Sequence, residues 1–133
     1  MTIDVEQALT YKLITALSAT IGSRMHPLRL PDTAVFPAIT YQEITAPIVA
    51  THDETAANAL THARYQLDAW AVSYAGAVAL AKAIFDALEG FKGVITKGSD
   101  TFTILSCLRS DKRTNNDPET SLFWVSQDFI IWY

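Results

Sequence analysis

Residues 122–133, LFWVSQDFIIWY, restrict the fold more than any other stretch. Read with a period of two, one face carries Leu122, Trp124, Ser126, Asp128, Ile130 and Trp132. The other carries Phe123, Val125, Gln127, Phe129, Ile131 and Tyr133. A strand with one solvated face alternates apolar with polar residues, and this one does not. Two arrangements satisfy the pattern. The strand is central and covered on both faces within one subunit, or its outer face, with Trp124, Ile130 and Trp132, meets a neighbouring subunit.

Other segments supply the rest of a sheet and its cover. ARYQLDAWAV at 63–72 sets Ala63, Tyr65, Leu67, Ala69 and Ala71 against Arg64, Gln66 and Asp68, and Trp70 interrupts the polar side. PAITYQEIT at 37–45 and DTFTILSCLR at 100–109 also read as strands. SDKRTNNDPET at 110–120 reads as a polar turn, joining 100–109 to the closing strand 121–132 in a hairpin. RMHPLRLP is extended, because Pro27 and Pro31 forbid a helix.

Two segments have helical spacing. Val5, Leu9, Leu13, Leu17 and Ile21 recur every four residues within 4–21, with Asp4 to cap the start and Gly22 to close the end. Ala77, Leu80, Ala81, Ile84 and Leu88 form the apolar stripe of a helix over 74–91, ended by Gly90 and Gly93. Residues 46–62 fit no regular element, and irregular runs of that length tend to be functional or disordered. The expectation is a single α+β domain over 1–133: a mostly antiparallel sheet of four to five strands with two helices packed on one face. By parity, Trp70, Trp124 and Trp132 would share the face that the helices leave open.

Composition narrows the function. With 133 residues, a net charge of −4 and a pI near 5.2, the chain shows no basic stripe for nonspecific DNA binding. Only 18% of residues are charged, low for a small monomer with much surface to solvate. Cys107 is the single cysteine, so neither an internal disulfide nor a cysteine zinc cluster is expected. The first residues lack a basic start followed by an apolar core, so no signal peptide is expected. No apolar run reaches the ~18 residues of a membrane helix.

Catalytic chemistry finds few candidates. His52, Asp53 and Glu54, with His62 further on, could be imagined around a metal, but no two ligands have helical or hairpin spacing, and a solvated loop is the better reading. Cys107, beside Leu105 and Leu108, reads as a small core residue. Glu43, Asp68 and Asp128 are single acids on strands, suited to solvated faces or to ion pairs with Arg64 or Arg109 more than to acid–base work. No phosphate loop, nucleophile elbow or dinucleotide fingerprint occurs. No catalytic, cofactor or metal residue is assigned.

RYQLDAWAVSYAGAVALAKAIFDALEGFKG (64–93) and DPETSLFWVSQDFIIWY (117–133), with ALTYKLITAL and FPAITYQ before them, together resemble the tail-completion, or tail-terminator, family of long-tailed bacteriophages, prophages and gene transfer particles. The likeness spans nearly the whole chain. It implies a structural virion protein, not an enzyme. Such a protein forms a hexameric ring that caps the tail tube, ends its polymerisation and provides the head–tail joining surface, with DNA passing through the lumen unbound. The implied partners are copies of itself, the tail tube protein and the head connector, at the head–tail junction of a particle assembled in the bacterial cytoplasm, without a membrane. Members often carry a charge where Trp124 and Ile130 stand here, which favours the contact reading of these positions. Trp70, Trp124, Ile130 and Trp132 are assigned to the subunit interface. His52, Asp53, Glu54, Lys112, Arg113 and Asn115 are assigned to loops at the lumen or the docking rims. The alternatives are a head-side adaptor ring of the same stack, or a small α+β ligand-binding domain or enzyme.

Overall fold

The Asp4 carboxylate accepts from the Gln7 N–H at 2.7 Å while the Gln7 side chain accepts from the Asp4 N–H, a reciprocal cap that starts the first helix, α1 (Val5–Ile21). Gly22, at φ +59°, ends it in a conformation that L side chains rarely adopt. The computed structural model describes residues 3–49 and 60–133. After α1 come β1 (Met25–Pro27), β2 (Ala38–Thr45), β3 (Ile48–Val49), β4 (Leu60–Ala71), α2 (Tyr74–Leu88), β5 (Gly93–Lys97), β6 (Asp100–Ile104), β7 (Ser106–Asp117) and β8 (Leu122–Trp132).

The main sheet has the order β1-β2-β4-β8-β7, and β3 pairs with the start of β4. Every pair in it is antiparallel except β1 with β2. β5 and β6 form a separate hairpin. Ala63, Tyr65, Leu67, Ala69 and Ala71 of β4 lie beside Ile131, Phe129, Gln127, Val125 and Phe123 of β8. This inner face packs with Leu9 and Leu13 of α1 and with Ala77, Leu80, Ala81, Ile84 and Leu88 of α2 in one buried cluster. The alanines of α2 keep its ridge low enough for the helix to lie on β4 and β8.

One polar side chain lies inside this layer. Gln127 is fully buried; its Nε2 donates to the Ala81 carbonyl at 2.9 Å and its Oε1 accepts from Arg109 Nη1 at 3.0 Å. Arg109 also lies 4.4 Å over the Phe85 ring, and its backbone N–H donates to Glu89 Oε2 at 2.7 Å. The group is satisfied throughout and ties the end of α2 to β7 and β8.

The α+β class, the mostly antiparallel sheet and both helices agree with the sequence. Four details differ. Residues 110–117 are strand, and the turn shrinks to 118–121, because β8 offers a long ladder on which even a polar segment pairs. Residues 100–109 are not one strand: the chain bends at Leu105, so β6 pairs with β5 while β7 pairs with β8. Residues 93–97, with Gly93 read as a helix stop, make a strand of their own. Of the segment 46–62, Ile48–Val49 is strand and 60–62 begins β4; residues 50–59, with His52, Asp53 and Glu54, lie outside the described residues.

The buried Cys107 thiol is pushed up to about 12 from its ordinary value of 9.0, chiefly by burial and then by the Glu89 carboxylate. Burial also raises the Tyr65, Tyr41 and Tyr133 hydroxyls above their ordinary 10.0. For an acid whose folded value is raised, the neutral form is favoured in the fold. The contribution is therefore complete below the unfolded value and is lost as pH rises through the folded one. The melting temperature should hold to pH 9.0 and fall steadily above it, and a thiol reagent at neutral pH should label Cys107 only after denaturation. A native chain that labels at the rate of a free thiol would contradict this burial.

Candidate functional site: the outer sheet face

Alternation along β4 and β8 puts the remaining side chains on the face away from the helices. His62 pairs with Trp132, Arg64 with Ile130, Gln66 with Asp128, Asp68 with Ser126, and Trp70 with Trp124. β2 adds Ala38 beside Trp70 and Thr40 beside Asp68. β7 adds Leu108 beside Ile130, Asp111 beside Asp128, Arg113 beside Ser126 and Asn115 beside Trp124. All three tryptophans therefore share this face, and among the described residues no helix or strand is stacked on it.

The face has three zones. At one end the Trp70 and Trp124 rings stack with centroids 4.6 Å apart and an interplanar angle of 22°. Trp70 Nε1 donates to the buried Thr40 Oγ1 at 2.9 Å, and Thr40 Oγ1 lies 3.4 Å from Asp68 Oδ2, to which it donates. Gln66 Nε2 donates to Asp68 Oδ1 at 3.1 Å.

In the middle, Asp128 accepts from three donors. Arg64 Nε and Nη2 reach its Oδ2 at 3.0 and 2.8 Å, and Arg113 Nη2 reaches its Oδ1 at 3.1 Å. Arg113 Nη1 also donates to Asp111. Asp111 and Asp128 are register partners, so Arg113 bridges two carboxylates that would otherwise repel across the strands. The hydrogen bond to Asp128 raises the Arg113 guanidinium above its ordinary value, and the Lys112 N–H, followed by Arg113, holds the Asp111 carboxyl below its own.

At the far end His62 stacks on Trp132, with centroids 4.5 Å apart and 16° between planes. Ile130 lies next to this pair, half-buried, and Leu108 beyond it is exposed. Each tryptophan is half-buried, with one ring face on its stacking neighbour.

The sequence-assigned interface residues thus fall into two groups. Trp70 meets Trp124, whereas Trp132 and Ile130 sit at the opposite end beyond a charged band. Lys112, Arg113 and Asn115 are not in a loop. They lie on β7, with Arg113 and Asn115 on the outer face and Lys112 on the opposite one, beside Gln127. The polarity of 110–117 suggested a turn because an edge strand paired on one side only leaves its side chains wet. The Asp128 pairing with Arg64 was legible as a choice among partners; that with Arg113 was not, since it depends on a register shift between Arg109 and Asp111. The stacking of His62 had no signal in the sequence. A hollow of about 330 Å³ lies elsewhere, between Thr20, Pro37, Ala71 and Gly76, and among the described residues no titratable side chain lines it.

Residues 7–133 match the sequence model of a family described as tail completion protein gp17. A search of curated proteins finds no match. Among solved structures, the chain is similar to one in the virion of a native gene transfer agent particle, with a TM-score of 0.67, 17% identity, and coverage of 96% of this chain and 92% of that one. At that identity the likeness is one of fold.

Proposed function

Because the chain belongs to the tail completion protein gp17 family, we propose that it is a structural protein of a phage or phage-like tail, assembling as a hexameric ring at the head–tail junction. The ring caps the tail tube, stops its growth and presents the surface to which the head connector joins, while DNA passes through the lumen without specific binding. The observation that carries this reading is the outer sheet face. It holds two aromatic stacks, each half-buried, with no cover from the described residues. Trp70, Trp124, Ile130 and Trp132 form the packing surface between subunits, and a contact of this kind closes by rotation when it meets a different patch on the next copy. The ionic band between the stacks fixes which way a neighbour can sit, since charge pairs supply register more than affinity.

Purified protein added to growing tail tubes should halt elongation and appear in electron micrographs as one ring at the tube end. Tubes that grow to the same length with and without it would overturn the capping role, and a ring seen only on the portal side would move the protein to the adaptor layer. His52, Asp53 and Glu54 are assigned to docking with the tube or head. Their joint replacement by alanine should leave ring formation intact and reduce head joining by about tenfold or more, as loss of roughly 1–2 kcal/mol in contacts would. Unchanged yields of joined particles would remove them from the docking surface.

A further inference from the structure

The edge of the main sheet formed by β7 has one bare half, and we propose that free subunits pair through it, β7 against β7, about a two-fold axis. Two backbone bonds fix the direction of every group along this edge. Tyr133 exchanges bonds with Thr61, on the β4 side, whereas the Trp132 carbonyl accepts from Leu105, on the β7 side. Backbone groups alternate along a strand, so the even-numbered residues of β8 turn towards β7. Their partners Asp111, Arg113, Asn115 and Asp117 turn inward. Lys112, Thr114 and Asn116 therefore aim their N–H and C=O groups away from the sheet.

Half of this edge is guarded. The register shift between Arg109 and Asp111 kinks it, Lys112 adds a charge, and the Lys112 N–H is already taken by the Asp111 carboxylate at 2.8 Å. From Thr114 to Asn116 there is no charge, proline or bulge. The opposite edge of the sheet, β1, is three residues long and ends in Pro27. Thr114–Asn116 is thus an unguarded stretch of the β7 edge among the described residues; on the opposite side β2 runs past β1 from Gln42 to Thr45, where Glu43 adds a charge and the register shifts.

Charge chooses the occupant. The edge is basic at Lys112 and Arg113 and acidic at Asp117 and Glu119, so an antiparallel second copy is complementary to it. Outward-facing residues must oppose outward-facing residues, which leaves few registers. Setting Thr114 opposite Thr114 places Asp111 against Asp117 twice, and like charges opposed in this way destabilise a pair. Setting Asn115 opposite Asn115 instead places Thr114 against Asn116 and Arg113 against Asp117, each twice, and moves the acid opposite Asp111 to Glu119, which lies in the turn past the end of β7. Arg113 has five N–H groups, of which its bonds to Asp111 and Asp128 use two, so it can also meet the second carboxylate. A hollow of about 200 Å³ walled by Tyr74 and Phe123 lies on the helix side of Thr114 and Asn116, so no side chain of α2 packs tightly over this end of the edge. This contact is isologous, so it does not propagate around a six-membered ring and belongs to the free subunit.

The test uses the full purified chain and does not depend on tail tubes, so its failure leaves the capping role untouched. Sedimentation over a concentration series should show a monomer–dimer equilibrium. Asn115→Cys should form a disulfide-linked dimer under mild oxidant, since the two residues face each other in a non-hydrogen-bonded pair, while Lys112→Cys should not. Thr114→Pro removes an N–H that β8 does not use; it should keep a native circular dichroism spectrum and weaken the dimer by about tenfold or more. Asp117→Lys should do the same. A chain that stays monomeric with Asn115→Cys unlinked would overturn the proposal. So would native-like Thr114→Pro and Asp117→Lys variants that dimerise as tightly as the parent chain.

Discussion

On the proposed ring, replacing Trp124 and Trp132 together by alanine should empty tail tubes of rings at concentrations that suffice for the parent chain, while the subunit still unfolds cooperatively. The two residues sit at opposite ends of the outer face, one stacked on Trp70 and the other on His62. Each is already largely buried, so about a third at most of the ~1.5–3 kcal/mol that a large apolar side chain gains on full burial remains for the interface. Removing both costs about 1–2 kcal/mol per contact, or roughly 5- to 30-fold in its equilibrium constant. In a closed ring each subunit makes two such contacts, so occupancy falls steeply. The subunit itself loses two stacking contacts of about 0.5–1.5 kcal/mol each, a shift of several degrees in melting temperature and not collapse. Ring occupancy counted in micrographs, against thermal melts of the same preparation, separates the two effects. Full occupancy at the parent's dilution would take these tryptophans out of the interface.

What the sequence disclosed of this surface, and what it withheld, follows from the range of each interaction. Asp4, Gly22 and the stripe from Ala77 to Leu88 act within a few residues, and the two helices are legible almost to their ends. The alternation in β4 is also local and sets Trp70 on its polar side, whereas β8 is apolar on both faces, so parity groups Trp124 with Trp132 without deciding that they share the face of Trp70. Register is not local. That Trp70 meets Trp124 while Trp132 meets His62, with an ionic band between, depends on how two strands about 60 residues apart line up. The conversion of 110–117 from turn to strand has the same origin: polar residues form a strand there because β8 offers unpaired backbone groups and Asp128 offers an anchor for Arg113. The β5–β6 hairpin is not legible in the sequence because Gly93 looks like a helix stop. It is also a strand end, and Gly98 at φ +64° sits in the turn that follows.

The anchor at Asp128 supports the second strong expectation. Its side chain is 7% exposed, with Arg64 at 36% and Arg113 at 42% holding it from either side. Replacing both arginines by methionine would leave a buried carboxylate without a cation and facing Asp111 across the strands. Removing one partner of a fully buried pair costs about 3–5 kcal/mol. Solvent screening of the half-exposed arginines lowers that, so the double variant should lose about 2–3 kcal/mol and Arg64→Met alone about 1–2. If the penalty comes from the stranded carboxylate, adding Asp128→Leu to the double variant should return most of the lost stability, because an apolar trio avoids desolvating charge. Urea midpoints of the four chains decide it. A double methionine variant as stable as the parent would mean that Asp128 is well solvated in place. A triple variant no better than the double would mean that the arginines act through packing of their side-chain stems and not through charge. The triple variant also bears on assembly: with its ionic band gone, the outer face should still bind a neighbour but lose the register that a closed ring requires, and micrographs should then show irregular aggregates in place of rings.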